Sequence, residues 1–231
     1  MQGFINSFLK IIKYPVALSC AFFTFPLLQA LIRLISETFN MHLGVYFLLP
    51  IIGTVALWNL IPGLAGASFT IFAHESTHML AAVLTGHKPV GMKIEQDKGG
   101  SFSYLGKGNW LITIAPYFLP TFPFIWMLVG LFFGTQDGQF EQWYIITYGF
   151  WVGFHISANF TQIHSEQTDF KKAGWLFTTL FIPGANLFVI GYLWCFALKG
   201  WAGLSTWHQY ISPACREFFK QILTQIQQMI G

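Results

Sequence analysis

Charged side chains are scarce in this 231-residue sequence: Asp, Glu, Lys and Arg together make up 9%. A soluble domain carries about 25%. A chain this poor in charge has too few solvated side chains to cover a globular surface, so lipid is its expected solvent. Basic residues exceed acidic ones by only three, and they are scattered, which excludes a nucleic-acid-binding face. Cysteine is scarce too. Cys20, Cys195 and Cys215 are far apart in sequence, without the spacing of a disulfide framework or a cysteine metal site.

Apolar residues are abundant, at 54%, and aromatics reach 19%, with 26 Phe. A membrane helix needs about 20 predominantly apolar residues. Segments 14–35, 43–61, 66–85, 110–133, 143–163 and 175–198 meet that requirement. Lys10 and Lys13 precede the first of them as in a signal peptide, but the apolar run continues to Ile32, too far for a signal-peptide core. The expected fold is therefore an all-α polytopic membrane protein of about six transmembrane helices, forming one domain over residues 1–231. Pro26 should kink the first span. Pro116, Pro120 and Pro123 in the fourth, and Pro183-Gly184 in the sixth, predict irregular helices there.

Two segments fall outside the spans. In residues 88–105, Val90, Met92 and Ile94 alternate, Asp97-Lys98-Gly99-Gly100 supplies a turn, and Phe102 and Tyr104 alternate again, which predicts a β-hairpin. In residues 212–230, Ser212 is a cap candidate with Pro213 at the first helical position. Phe218, Phe219, Ile222, Leu223, Ile226, Met229 and Ile230 then share one face. That amphipathic tail helix suits either the membrane interface or a partner protein. With an even number of spans, both termini lie opposite the hairpin. Arg33, Lys88, Lys93, Lys98, Lys107, Lys171 and Lys172 are then expected on the hairpin side, and Lys10, Lys13, Lys199, Arg216 and Lys220 on the other. The positive-inside rule narrowly favours a cytoplasmic hairpin.

The third span contains His74-Glu75-Ser76-Thr77-His78. Histidines four residues apart lie one turn apart on one helical face. Both can reach one zinc ion, while Glu75 holds a water against it and takes its proton as general base. Ionisable groups at membrane depth are costly, so they are functional candidates by default. A catalytic zinc usually takes three protein ligands. The third is sought in the stretch 164–172, which returns to the hairpin side and offers His164, Glu166 and Asp169. His42 and His155 also remain open, whereas Asp137 and Glu141 are expected at the opposite face. Asn159, one turn after His155, and Asn186 are polar residues inside spans, suited to binding substrate or an oxyanion, or to holding helices together.

HESTHMLAAVLTG on a membrane span resembles the site-2 protease family of intramembrane zinc metalloproteases, especially its small bacterial branch, over residues 66–198. The resemblance implies a glycine-rich hairpin that follows the zinc helix and offers an edge to substrate, where residues 88–105 stand. The family's Gly-Pro-x-x-Asn motif is represented by IAPYFLP, which keeps Pro116 and lacks the Asn. Its third ligand is an aspartate in an Asp-Gly setting. Asp169 takes that role here, although Phe170 follows it. The implied activity is hydrolysis of a peptide bond within or beside a membrane-spanning protein or peptide substrate, with zinc as cofactor and the lipid bilayer as surroundings. The implied location is the bacterial cytoplasmic (inner) membrane, zinc motif toward the cytoplasm. Two alternatives stand beside it. One resembles the zinc proteases of prenylated peptides, with Glu166 as ligand. The separate CAAX-processing fold finds its His-x-x-x-Asn motif at His155 and Asn159, but its Glu-Glu-x-x-x-Arg motif is missing. The other alternative is a catalytically inactive, metal-binding retention or chaperone factor.

Overall fold

The computed structural model describes residues 2–39, 41–61, 63, 68–95, 99–132, 142–163 and 167–230. Helices α1 (Gln2–Thr38), α2 (His42–Leu60) and α3 (Ser68–Leu84) come first. An antiparallel hairpin of β1 (Pro89–Glu95) and β2 (Gly99–Tyr104) follows. Next come α4 (Trp110–Ile114), a 3-10 turn (Ala115–Tyr117) and α5 (Thr121–Val129), then α6 (Gln142–Gln162), α7 (Thr168–Ala173), α8 (Trp175–Gly203) and α9 (Thr206–Ile230). The molecule is mostly helical, with the one small hairpin the alternation predicts. Asp97 and Lys98 of its turn lie outside the described residues.

Among the described helices, three are long and apolar enough to cross a bilayer: α1, α2 and α8. The α4–α5 pair makes a fourth if its halves, bent by 76°, count as one broken span. Six were expected. Helix α3 has only 17 residues, and residues 66 and 67 of the expected span lie outside the described ones. Helix α6 is long enough but carries His155, Ser157, Asn159, Thr161 and Gln162, which dilute its apolar character. The break between α4 and α5 falls at Pro116 and Pro120, as their missing N–H groups require.

Contacts between helices fix their directions. Helices α1 and α8 run parallel. Lys13 Nζ donates to the Ala173 carbonyl at 2.7 Å, Gly184 abuts the Cys20 carbonyl, and Trp194 Nε1 donates to Thr38 Oγ1 at 2.9 Å. Helix α6 opposes them, because Asn159 meets Asn186 and Tyr148 meets Phe196. Helix α2 runs with α6, since Gly149 sits on the Phe47 carbonyl and Gly153 on that of Ile51. Helix α3 also runs with α6: Phe69 lies against Trp151 and Phe154, and His74 reaches Gln162. So α3 continues in the direction of α2 and is not its return span. Ile61 is extended, at φ −99° and ψ 109°, as the residue before a proline (here Pro62) tends to be.

This arrangement corrects the assignment of sides. Gln2 Nε2 donates to the Leu105 carbonyl at 3.3 Å, and Asn6 Nδ2 to that of Lys107 at 2.7 Å. The start of α1 therefore lies beside the hairpin. Lys10 and Lys13 join the hairpin side, and Arg33 moves to the far end, where it pairs with Glu37 at 2.8 Å. His42 opens α2 at that far end too, away from the zinc motif.

Two further expectations change. Helix α8 passes through Pro183-Gly184 without a break, and its non-helical residue is Gly200. The glycine serves close packing instead, since a Cβ at Gly184 would stand 2.3 Å from the Cys20 carbonyl oxygen. The tail helix starts at Thr206, so Pro213 is inside it and Ser212 caps nothing. Its first half packs along α1, with Phe218 and Phe219 against Phe22 and Tyr210 donating to Glu37. The main aromatic core (Phe47, Tyr144, Tyr148, Trp194 and Trp207) lies toward the far end. A second core of Ile114, Tyr117, Phe170, Phe177 and Phe181 supports the hairpin side.

Candidate metal centre

Residues 68–84 contain neither proline nor glycine and end in an alanine- and leucine-rich turn, so the helix runs uninterrupted through the histidine motif. His74 and His78 stack one turn apart, with ring centroids 4.7 Å apart and Nε2 atoms 3.1 Å apart. Asp169 enters from α7, which follows α6 on the hairpin side. Its Oδ2 is 3.3 Å from Nε2 of both histidines.

The outer contacts decide what the three atoms can do. His78 Nδ1 is 2.7 Å from the Ile112 carbonyl, which only accepts, so Nδ1 carries the proton. His74 Nδ1 donates likewise to Gln162 Oε1 at 2.5 Å. Both Nε2 atoms then turn lone pairs toward each other and toward a carboxylate oxygen. A shared proton relieves one such pair, whereas one cation relieves all three. Ligands about 2.0–2.1 Å from a tetrahedral zinc stand about 3.3–3.4 Å apart, close to the 3.1 and 3.3 Å found here. Two imidazoles and a carboxylate are also a catalytic donor set. The residues present fit a metal ion.

Tyr117 donates its hydroxyl to Asp169 Oδ2 at 3.1 Å, and its ring lies edge-on to His74. Burial works against charge on Asp169; without a metal, His74 and His78 protonated at Nε2 outweigh it and hold the carboxyl below the usual range. Asp169 is thus poised as a carboxylate. Thr77 bonds to Thr121 at 2.8 Å and ties α3 to α5 behind the site.

The three candidate ligands and Glu75 line one cavity of about 730 Å³ with β2 and α7. Glu75 is only 6% exposed. The hairpin closes over it: residues 99–102 and Tyr104 border the cavity, and β1 does not. The expected substrate residues lie elsewhere. Asn159 Nδ2 donates to Asn186 Oδ1 at 3.1 Å, and Asn186 Nδ2 to the Tyr117 carbonyl at 2.7 Å. Neither lines the cavity. His155 contacts Asn159 at 3.2 Å and is likewise outside it. His164, Glu166, Asp137 and Glu141 lie outside the described residues.

Gln162, Tyr117, Gly100 and the Ile112 carbonyl were not anticipated. Gln162 and Tyr117 carry no motif signal, and a backbone carbonyl carries none in principle.

A family model described as Peptidase M50B-like matches residues 47–156. The match supports membership of the site-2 protease family. The matched stretch takes in His74, Glu75, His78 and the hairpin, but ends before Asp169. A metallopeptidase family implies a metal, which agrees with the convergence of His74, His78 and Asp169. No curated protein and no solved structure is significantly similar to the chain.

Proposed function

We propose that this site-2 protease relative is an intramembrane zinc metalloprotease that hydrolyses a peptide bond within or beside a membrane-spanning substrate. One observation carries the reading: three lone-pair donors converge on the wall of a cavity that also holds a buried glutamate and a β-strand. Held by His74, His78 and Asp169, zinc would supply Lewis acidity, acidifying water and polarising a carbonyl. The chain's own groups do the rest. Gln162 and the Ile112 carbonyl hold the imidazoles in the tautomer that presents Nε2. Tyr117 fixes the Asp169 carboxylate. Glu75 accepts a proton from water as hydroxide adds to the scissile carbon, then returns it to the departing amide nitrogen. A helical substrate hides its carbonyls, and strand addition at the edge of β2 holds it extended.

The revised sides favour a cytoplasmic site, because Lys10, Lys13, Lys88, Lys93, Lys107, Lys171 and Lys172 all belong to the hairpin side. The test uses purified full-length protein in neutral detergent with synthetic transmembrane peptides, products being read by mass spectrometry. Wild type should cut at a defined bond and Glu75→Gln should not. Metal-loaded wild type that cuts nothing, with Glu75→Gln indistinguishable from it, would favour the inactive retention or chaperone role.

A further inference from the structure

A second cavity, of about 770 Å³, lies between the start of α1, the loop after β2 and the end of α7. Lys10, Lys13, Lys107 and Lys172 line it, and no acidic residue does. Lys13 is anchored by the Ala173 carbonyl and lies 4.9 Å from the Phe177 ring centroid. Lys10, Lys107 and Lys172 form no ion pair with any acid among the described residues. The walls are held in place by Asn6, which donates to the Lys107 carbonyl and accepts from Asn109 Nδ2 at 2.8 Å. Asn109 also caps α4, accepting from the Ile112 N–H at 3.1 Å. Four cations gathered around one cavity repel one another unless an anion joins them. Thr113 and Lys172 border this cavity and the catalytic one alike, so the two cavities adjoin at these residues.

We propose that this four-lysine cavity is a subsite for an acidic segment of the substrate, a few residues to one side of the scissile bond. The proposal rests on the protease reading and extends it to substrate class. Adjacency to the catalytic cavity favours a peptide, because an extended chain advances about 3.3 Å per residue, so a few residues beyond the scissile bond reach the lysines. Composition points the same way. Trp110 and Ala173 are the only substantial apolar surfaces on the wall, which leaves little to receive the acyl chains of an anionic lipid.

The test separates the subsite from catalysis by measuring binding to full-length Glu75→Gln protein in neutral detergent. The probes are synthetic peptides that share one apolar segment and end in three Glu, three Gln or three Lys, with the tract at either end. At low salt the Glu tract at one end should bind on the order of tenfold tighter than the Gln tract, with the advantage shrinking in high salt. The advantage should vanish in Glu75→Gln/Lys10→Gln/Lys107→Gln. Preference should pass to the Lys tract when Lys10 and Lys107 are both replaced by Glu. Equal binding of Glu and Gln tracts at both ends overturns the proposal without any lysine variant. Lysine variants that lose co-purified phospholipid phosphorus yet keep the peptide preference overturn it in favour of a lipid headgroup. Failure of wild type to cut any peptide counts against the protease reading, while the binding ratios still judge the subsite.

Discussion

Gly100 in β2 lies so close to Glu75 in α3 that a Cβ at Gly100 would stand 2.6 Å from Glu75 Cγ and 2.8 Å from Oε1. The hairpin therefore closes the cavity with bare backbone and fixes where the glutamate can point. The same Cβ would also stand 2.7 Å from Ile71 Cγ2, so it cannot be accommodated by moving one flexible end. Gly100→Ala should displace either the carboxylate or the strand. Displacing a reacting group by about 1 Å costs on the order of 100-fold in rate. The expected outcome is a fall in kcat of about that size at unchanged metal content, read by peptide cleavage alongside elemental analysis. Undiminished turnover would mean that the strand does not position Glu75.

Metal content distinguishes ligands from the base. Wild type should hold about one zinc per chain, as a single catalytic site does. His74→Ala, His78→Ala and Asp169→Ala should each lose it, because each removes one of three converging donors. Glu75→Gln should keep the metal and lose cleavage. Full zinc in Asp169→Ala would return the third ligand to His164 or Glu166.

Tyr117 donates to Asp169 Oδ2 and should therefore tune a metal held there. Tyr117→Phe removes the hydrogen bond to Oδ2 and little volume. Loss of such an outer partner typically weakens metal affinity 10–100-fold. Competition with a chelator should reveal that shift, with zinc still bound when in excess. Unchanged affinity would make the contact incidental.

Asn159 and Asn186 join α6 to α8 and to the turn before α5, away from the cavity. A double-mutant cycle with Asn159→Leu and Asn186→Leu should give a coupling of about 0.6 kcal/mol in detergent unfolding, the usual size for a polar contact between membrane helices. Zinc content should not move. Lost activity at unchanged stability would instead support a role in binding substrate.

Much of this was legible in the sequence because it is local. The His74–His78 spacing specifies one helical face, and the alternation in residues 88–105 specifies a hairpin, whatever surrounds them. Proline was less decisive. Pro116 and Pro120 break a span, whereas Pro183 rides inside α8 beside a glycine that admits α1. Counting apolar segments also missed that α2 and α3 run the same way, since length and hydropathy are blind to direction.

By itself the sequence determined that the chain belongs in lipid and that two imidazoles and a glutamate share one turn of helix, because composition and period act over a few residues. Tertiary structure decided the rest. It brought Asp169 to 3.3 Å from histidines about ninety residues earlier. It also gave the histidines proton acceptors from α4 and α6 and drew the N-terminal lysines beside the hairpin. Each of these depends on which way whole helices run and how closely they pack, and no local pattern encodes that.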